Sequence, residues 1–272
     1  MRRRLSLNPD HSVVLTYNSK KKWQQAGYAT PEYKKIVGAT LKNNRKWLQD
    51  SESRALFFLP YIANENLAIR ELAYLEVGRA SYATIRKADK HVPTSQVHLF
   101  LSNQQYIEWH ALYILLLGVN ASIDEKDLIR TTMEKHSSLN LDQNLSSWTT
   151  ALIEIDQKKA IDWLDTAYIT ATNKKPELVT EVLKALSVQA NFRGGELKQR
   201  IAESYQKLIQ NHPTLAGWAA RDLVTWADWR FAEDFSKLRQ NKTKLDGSTT
   251  YIIDFYIRRA NRLGTKPKPT TF

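Results

Sequence analysis

From residue 30 to residue 263 the chain is written in one period. Apolar residues recur every three or four positions, and short clusters of Asn, Gly, Pro and Asp separate one periodic segment from the next. Only Ser12–Tyr17 (Ser-Val-Val-Leu-Thr-Tyr) has the composition of a strand. Each periodic segment carries one apolar stripe and has no sheet to bury it on. Such a chain folds as helices packed on helices.

The punctuation marks where the helices start and stop. Thr30-Pro31 reads as an N-cap with proline at the first helical position, opening a helix to about Leu48. Ser51 or Ser53 opens a short helix containing Leu56, Phe57, Leu59 and Ile62, which Pro60 bends or ends. Glu65–Ala80 follows with Ile69, Ala73, Val77 and Ala80 on one face. Gln105–Gly118 is apolar on nearly all sides from Ala111 onward and reads as a central buried helix. Ser122 with Glu125 forms a capping box for a helix to about His136. Further helical segments follow at 144–155, 157–170, 176–189, 195–210, 214–226 and 250–261.

Two of these units repeat. Asn64 and Asn103 precede matching helices and lie 39 residues apart, and Gly78 and Gly118 end those helices 40 residues apart. A period near 40 belongs to two-helix HEAT repeats. The sequence therefore predicts an all-α, HEAT-like α-solenoid of about five or six stacked helix hairpins over residues 30–263, with no interior linker. An extended basic arm over 1–29 precedes it, and a basic tail over 264–272, expected to be flexible, follows it.

Composition excludes several chemistries. With no cysteine, the chain has no disulfide scaffold, no thiolate metal site and no Cys nucleophile. Its longest apolar runs, Leu56–Ala63 and Ala111–Val119, are too short for a membrane span, which needs about 20 residues. The net charge of +12 points toward an acidic partner, but residues 51–250 are neutral, with 24 basic and 24 acidic side chains. The excess sits at the ends, +8 over residues 1–50 and +4 over 251–272, in Arg2-Arg3-Arg4, Lys20-Lys21-Lys22 and the tail with Lys266 and Lys268. These basic termini are one expected route to nucleic acid.

Candidate catalytic groups are sparse. Six histidines, His11, His91, His98, His110, His136 and His212, show no metal-ligand spacing. There is no nucleophile elbow and no phosphate loop. Asp162 and Asp165 share a helical face and read as a solvated pair. The densest constellation is Trp218, Arg221, Asp222, Asp228, Trp229 and Arg230. Aromatic, basic and acidic residues mixed in this way resemble the equipment of HEAT-like DNA glycosylases. Trp226, with Leu215, Ala219 and Leu223, lies instead on the apolar face.

The segments Glu71-Leu-Ala-Tyr-Leu-Glu-Val-Gly-Arg-Ala80, Ser81-Tyr-Ala83, Leu112-Tyr-Ile-Leu-Leu-Leu-Gly118, His212-Pro-Thr-Leu-Ala216, Asp222-Leu-Val-Thr-Trp-Ala-Asp-Trp229 and Tyr251–Arg258 carry a resemblance. Together they resemble an uncharacterised family of bacterial, exported HEAT-like helical-repeat proteins. The resemblance implies a helical stack with no assigned activity, cofactor or catalytic residue. It also implies that Ser12–Tyr17 is the remnant of a Cys-containing β domain set before the helices, which this chain lacks. The expected function is a non-enzymatic protein-interaction or scaffold module without cofactor or metal. The alternative is a nucleic-acid-binding, glycosylase-like protein using the Trp218–Arg230 constellation.

Overall fold

The computed structural model describes residues 2–87, 92–241 and 244–264. Among them the protein is helical apart from one two-stranded sheet. The contacts divide the chain into two compact units, Met1–Thr84 and Ile85–Phe272. The sequence carries no linker composition at that division.

The first unit opens with a short helix α1 (Arg2–Leu7) and the strands β1 (Ser12–Tyr17) and β2 (Trp23–Ala29). The expected extended arm is corrected here: Ser12–Tyr17 is not alone but pairs antiparallel with Trp23–Ala29, from Ser12 opposite Ala29 to Tyr17 opposite Trp23. Trp-Gln-Gln-Ala-Gly-Tyr-Ala has weak strand propensity, so the partner is inconspicuous in the sequence. The turn that joins the strands is held by Asn18, whose Oδ1 accepts from the amides of Lys20 and Lys22 at 3.0 Å each. The Tyr17 and Trp23 rings close the ladder 5.2 Å apart.

Helix α2 (Pro31–Gln49) begins as expected, with Thr30 Oγ1 accepting from the Tyr33 amide at 3.1 Å. Helix α3 (Ser51–Phe58) is capped not by either serine but by Asp50, which accepts from the Ser53 amide at 2.8 Å. Pro60 sits in a 3₁₀ turn, Leu59–Tyr61, where the α-helix has ended. Asn66 caps α4 (Leu67–Gly78), which buries Ile69, Ala73 and Val77. A one-turn helix α5 (Tyr82–Ile85) follows.

The second unit runs through α6 (Thr94–Leu101), α7 (His110–Val119), α8 (Ile123–Leu139), α9 (Leu145–Asp156) and α10 (Lys158–Leu164). It continues through α11 (Pro176–Arg193), α12 (Gly195–Asn211), α13 (Ala216–Thr225), α14 (Ala232–Gln240) and α15 (Gly247–Gly264). The Ser122–Glu125 capping box is present at the start of α8. Helix α7 is buried on nearly every side, as its composition requires. Its neighbours are not consecutive elements only: α7 packs on α9, α9 on α11 and α13 on α15, while α10 packs on α12 and α12 on α14.

Two of these contacts depend on glycine. A Cβ on Gly118 would lie 2.8 Å from both Cα and Cβ of Ala151, where α7 crosses α9. One on Gly217 would lie 2.8 Å from Thr249 Oγ1, where α13 meets α15. Polar ties reinforce the same layer. Glu154 on α9 takes one arginine from each side, Arg86 Nη2 at 2.9 Å and Arg193 Nη2 at 2.8 Å. Gln189 Nε2 donates to the Thr150 carbonyl at 3.0 Å.

Candidate functional site

Helix α2 is nineteen residues long yet buries only Ile36 and Trp47. Trp47 anchors it by packing against Phe57 and Phe58, with ring centroids 5.0 and 5.9 Å away. Its other large aliphatic side chains face outward. Val37, Leu41 and Leu48, with Asn44 between the leucines, recur at i, i+4 and i+11, and are 40%, 70% and 82% exposed.

This stripe is one wall of an open groove of about 400 Å³ in the first unit. Tyr33, Ile36 and Trp47 continue the α2 wall; Phe58 from α3 and Leu72 from α4 are the apolar part of what faces it. One polar pair lies in the lining. Arg54 Nε is 3.0 Å from Glu76 Oε2, both largely buried. They form an ion pair by distance, but the geometry is not that of a hydrogen bond. Glu76 Oε1 also accepts from Arg79 Nη2 at 2.8 Å, so this carboxylate is neutralised from two sides.

The outer edge of α2 beside the stripe is basic. Lys34, Lys42 and Arg45 follow the same helical face, and all three are exposed. Lys34 Nζ donates to the Asp10 carbonyl at 2.7 Å. Among the described residues no acidic side chain lies within ion-pair distance of Lys42 or Arg45.

The constellation singled out in the sequence lies in the second unit, and its members do not share one cavity. Trp218 and Arg221 line a depression of about 370 Å³ with Gly217, Ser248, Thr249 and Ile252, and the other four residues are absent from that lining. The Arg221 guanidinium stacks 4.4 Å above the Trp218 ring. Asp222 points inward and accepts from Tyr205 Oη at 2.6 Å. Burial first, and the Asp222 charge second, raise the Tyr205 phenol far above its usual range. Trp226 stacks on Tyr205 at 5.4 Å and donates to Asn191 Oδ1 at 2.8 Å, so it is half-buried packing.

Asp228 faces Arg230, with Nη2 at 2.6 Å from Oδ2 and Nε at 2.9 Å from Oδ1. Burial alone would raise the Asp228 carboxyl, but the Arg230 hydrogen bonds and charge outweigh it, and the net shift is downward. Trp229 packs on the Tyr256 ring at 5.2 Å. Both acids are thus engaged with neighbours of the fold.

Other groups read from the sequence have defined places. Asp165, expected to be solvated, is instead only 3% exposed. Its Oδ2 accepts from Arg200 Nη2 at 2.6 Å and Lys207 Nζ at 2.7 Å. A π-helical turn, Asp165–Ile169, turns it inward at a point where the sequence predicts a regular helix. His98 pairs with Glu125 at 3.1 Å, His110 Nε2 donates to the Phe100 carbonyl at 3.1 Å, and His212 Nε2 to that of Tyr168 at 3.2 Å. His91 lies outside the described residues. Lys20–Lys22 occupy the hairpin turn, and the basic tail from residue 265, with Lys266 and Lys268, lies outside the described residues.

The groove was not singled out in the sequence. A signal was present, since the Val37-Leu41-Leu48 spacing is plain, but most of the described helices carry such a stripe, and spacing does not reveal which one stays uncovered. No protein-family model, no curated protein and no solved structure matches this chain. No described helix is long and apolar enough to cross a membrane.

Proposed function

We propose that the protein is a non-enzymatic interaction module that takes a partner protein on the α2 groove of its first unit, and that its second unit is a HEAT-like stack of helix hairpins. The single observation that carries this is that α2 leaves Val37, Leu41 and Leu48 uncovered beside a formed groove. Covering these side chains would return about 1–2 kcal/mol each. An exposed apolar strip of this kind, rimmed by charge, belongs to a binding surface.

The stack is supported by the packing of alternate helices, α7 on α9 on α11 and α10 on α12 on α14, as repeated hairpins require. It is part of the same reading, as is the likeness to exported bacterial helical-repeat proteins. The glycosylase-like alternative has less support, because Asp222 and Asp228 are occupied by Tyr205 and Arg230.

A photo-crosslinking phenylalanine analogue at position 41 tests the reading in an extract of the source cells. A protein adduct that survives nuclease and is lost in Leu48→Asp is expected. The same analogue at Glu177, exposed on α11, should give no such adduct. Equal adducts from both positions, or none from 41, would refute the proposal.

A further inference from the structure

We infer that the occupant of the α2 groove is an amphipathic helix of about three turns with acidic flanks, supplied by a different protein. This rests on the interaction reading above and adds the chemistry of the partner.

The shape argues for a helix. From Val37 to Leu48 the stripe rises eleven residues, about 16 Å or three turns. The flanking walls are helices whose backbone groups are bonded internally, so the groove offers no free strand edge to an extended peptide. A segment lying there must satisfy its own backbone, and a helix does so.

Charge gives the sign. Lys42 and Arg45 stand along the edge of the stripe with no acidic partner among the described residues, and Lys34 stands one turn before Leu41's neighbour Gly38. The acid in the lining, Glu76, is held by Arg54 and Arg79. Residues 1–84 together carry 14 basic and 7 acidic side chains. A helix with glutamate or aspartate beside its apolar face would meet complementary charge, and a basic one would be repelled.

The same argument disfavours two nearer occupants. The chain's own tail has Lys266 and Lys268 and no acid. A second copy brings another net +12, with the same excess in its first unit.

The test is fluorescence anisotropy with the full chain and three labelled synthetic peptides of about 14 residues. The first carries leucines at i, i+4, i+7 and i+11 with glutamates between them. The second replaces the glutamates by lysines, and the third scrambles the first. The glutamate peptide should bind at least about tenfold more tightly than either of the others. Leu41→Asp should lose that binding about tenfold, and because Leu41 is 70% exposed the variant keeps its fold, checked by circular dichroism. The double reversal Lys42→Glu with Arg45→Glu should invert the preference toward the lysine peptide.

Equal binding of the glutamate and lysine peptides, both lost in Leu41→Asp, would overturn the charge inference and leave the groove standing. No binding of either amphipathic peptide would remove the groove reading itself. A parallel arm uses phosphatidylserine-containing vesicles and neutral phosphatidylcholine vesicles. Capture by the anionic vesicles that depends on Leu41 and Leu48, without peptide binding, would make the occupant a lipid surface and overturn the proposal.

Discussion

Gly78 and Gly118 stand at the same place in two similar segments, one near the end of α4 and one near the end of α7, and substitution by alanine should move stability in opposite directions. At Gly78 an added Cβ meets nothing within 4 Å, so Gly78→Ala gains only helix propensity. That gain is about 0.5–1 kcal/mol. At Gly118 the same gain is available, but the methyl would lie 2.8 Å from the Ala151 Cα and Cβ. Backbone cannot swing aside as a flexible side chain can. The helices must separate by about half an ångström or more, and overpacking of that kind costs about 1–3 kcal/mol. The net for Gly118→Ala is a loss of about 1–2 kcal/mol, and the two variants should differ by about 2 kcal/mol. Urea unfolding followed by circular dichroism reads this as midpoints displaced to either side of the parent. Because the glycines lie in different compact units, each midpoint is taken from the transition its unit shows. Shifts of the same sign would refute the claim that α7 and α9 touch backbone to backbone.

Two further outcomes follow from the second unit. Tyr205→Phe removes the donor to Asp222 and leaves a buried carboxylate short of a hydrogen bond, so unfolding stability should fall by about 2–3 kcal/mol; an unchanged urea midpoint would mean that water reaches Asp222. His136 is buried, which lowers its imidazole below the ordinary 6.5, with the hydrogen bond to the Leu141 carbonyl working the other way. Above pH 6.5 the imidazole is neutral in both folded and unfolded chains; below it the unfolded chain takes up a proton that the folded one resists. Stability should therefore decline as pH falls from 6.5 toward the lowered value, by at most about 1.4 kcal/mol per pH unit, and His136→Gln should flatten that part of the urea-midpoint profile.

Much of the local structure was legible because its causes are local. Thr30-Pro31, Pro60 and Ser122 with Glu125 act within a turn of where they stand, and the structure uses them as expected. The sequence misplaced other features for identifiable reasons. Trp23–Ala29 becomes a strand through its partner rather than its propensity. Helix α14 offers only Phe235 and Leu238 as buried apolar residues, too few for a period to stand out. Asp165 looks like a surface acid by spacing, and one π turn together with Arg200 and Lys207 makes it a buried one.

The candidate site was legible only in part. The Trp218–Arg230 constellation is conspicuous as composition, yet neighbouring helices claim its members one by one: Tyr205 takes Asp222, and Tyr256 packs on Trp229. The groove is the reverse case. Its leucines read like any core stripe, and their exposure is set by where α3 and α4 stop short of covering α2.

Periodicity by itself determined that this chain is helical, since a stripe every three or four residues can be buried only by a helix. It also set most helix starts, because capping is a short-range hydrogen-bond problem. Only the tertiary structure decided which stripe remains open, which acid is buried and which glycine must stay a glycine. Those properties belong to pairs of elements far apart in the chain, and Gly78 and Gly118 carry the same letter in similar surroundings until Ala151 arrives beside one of them.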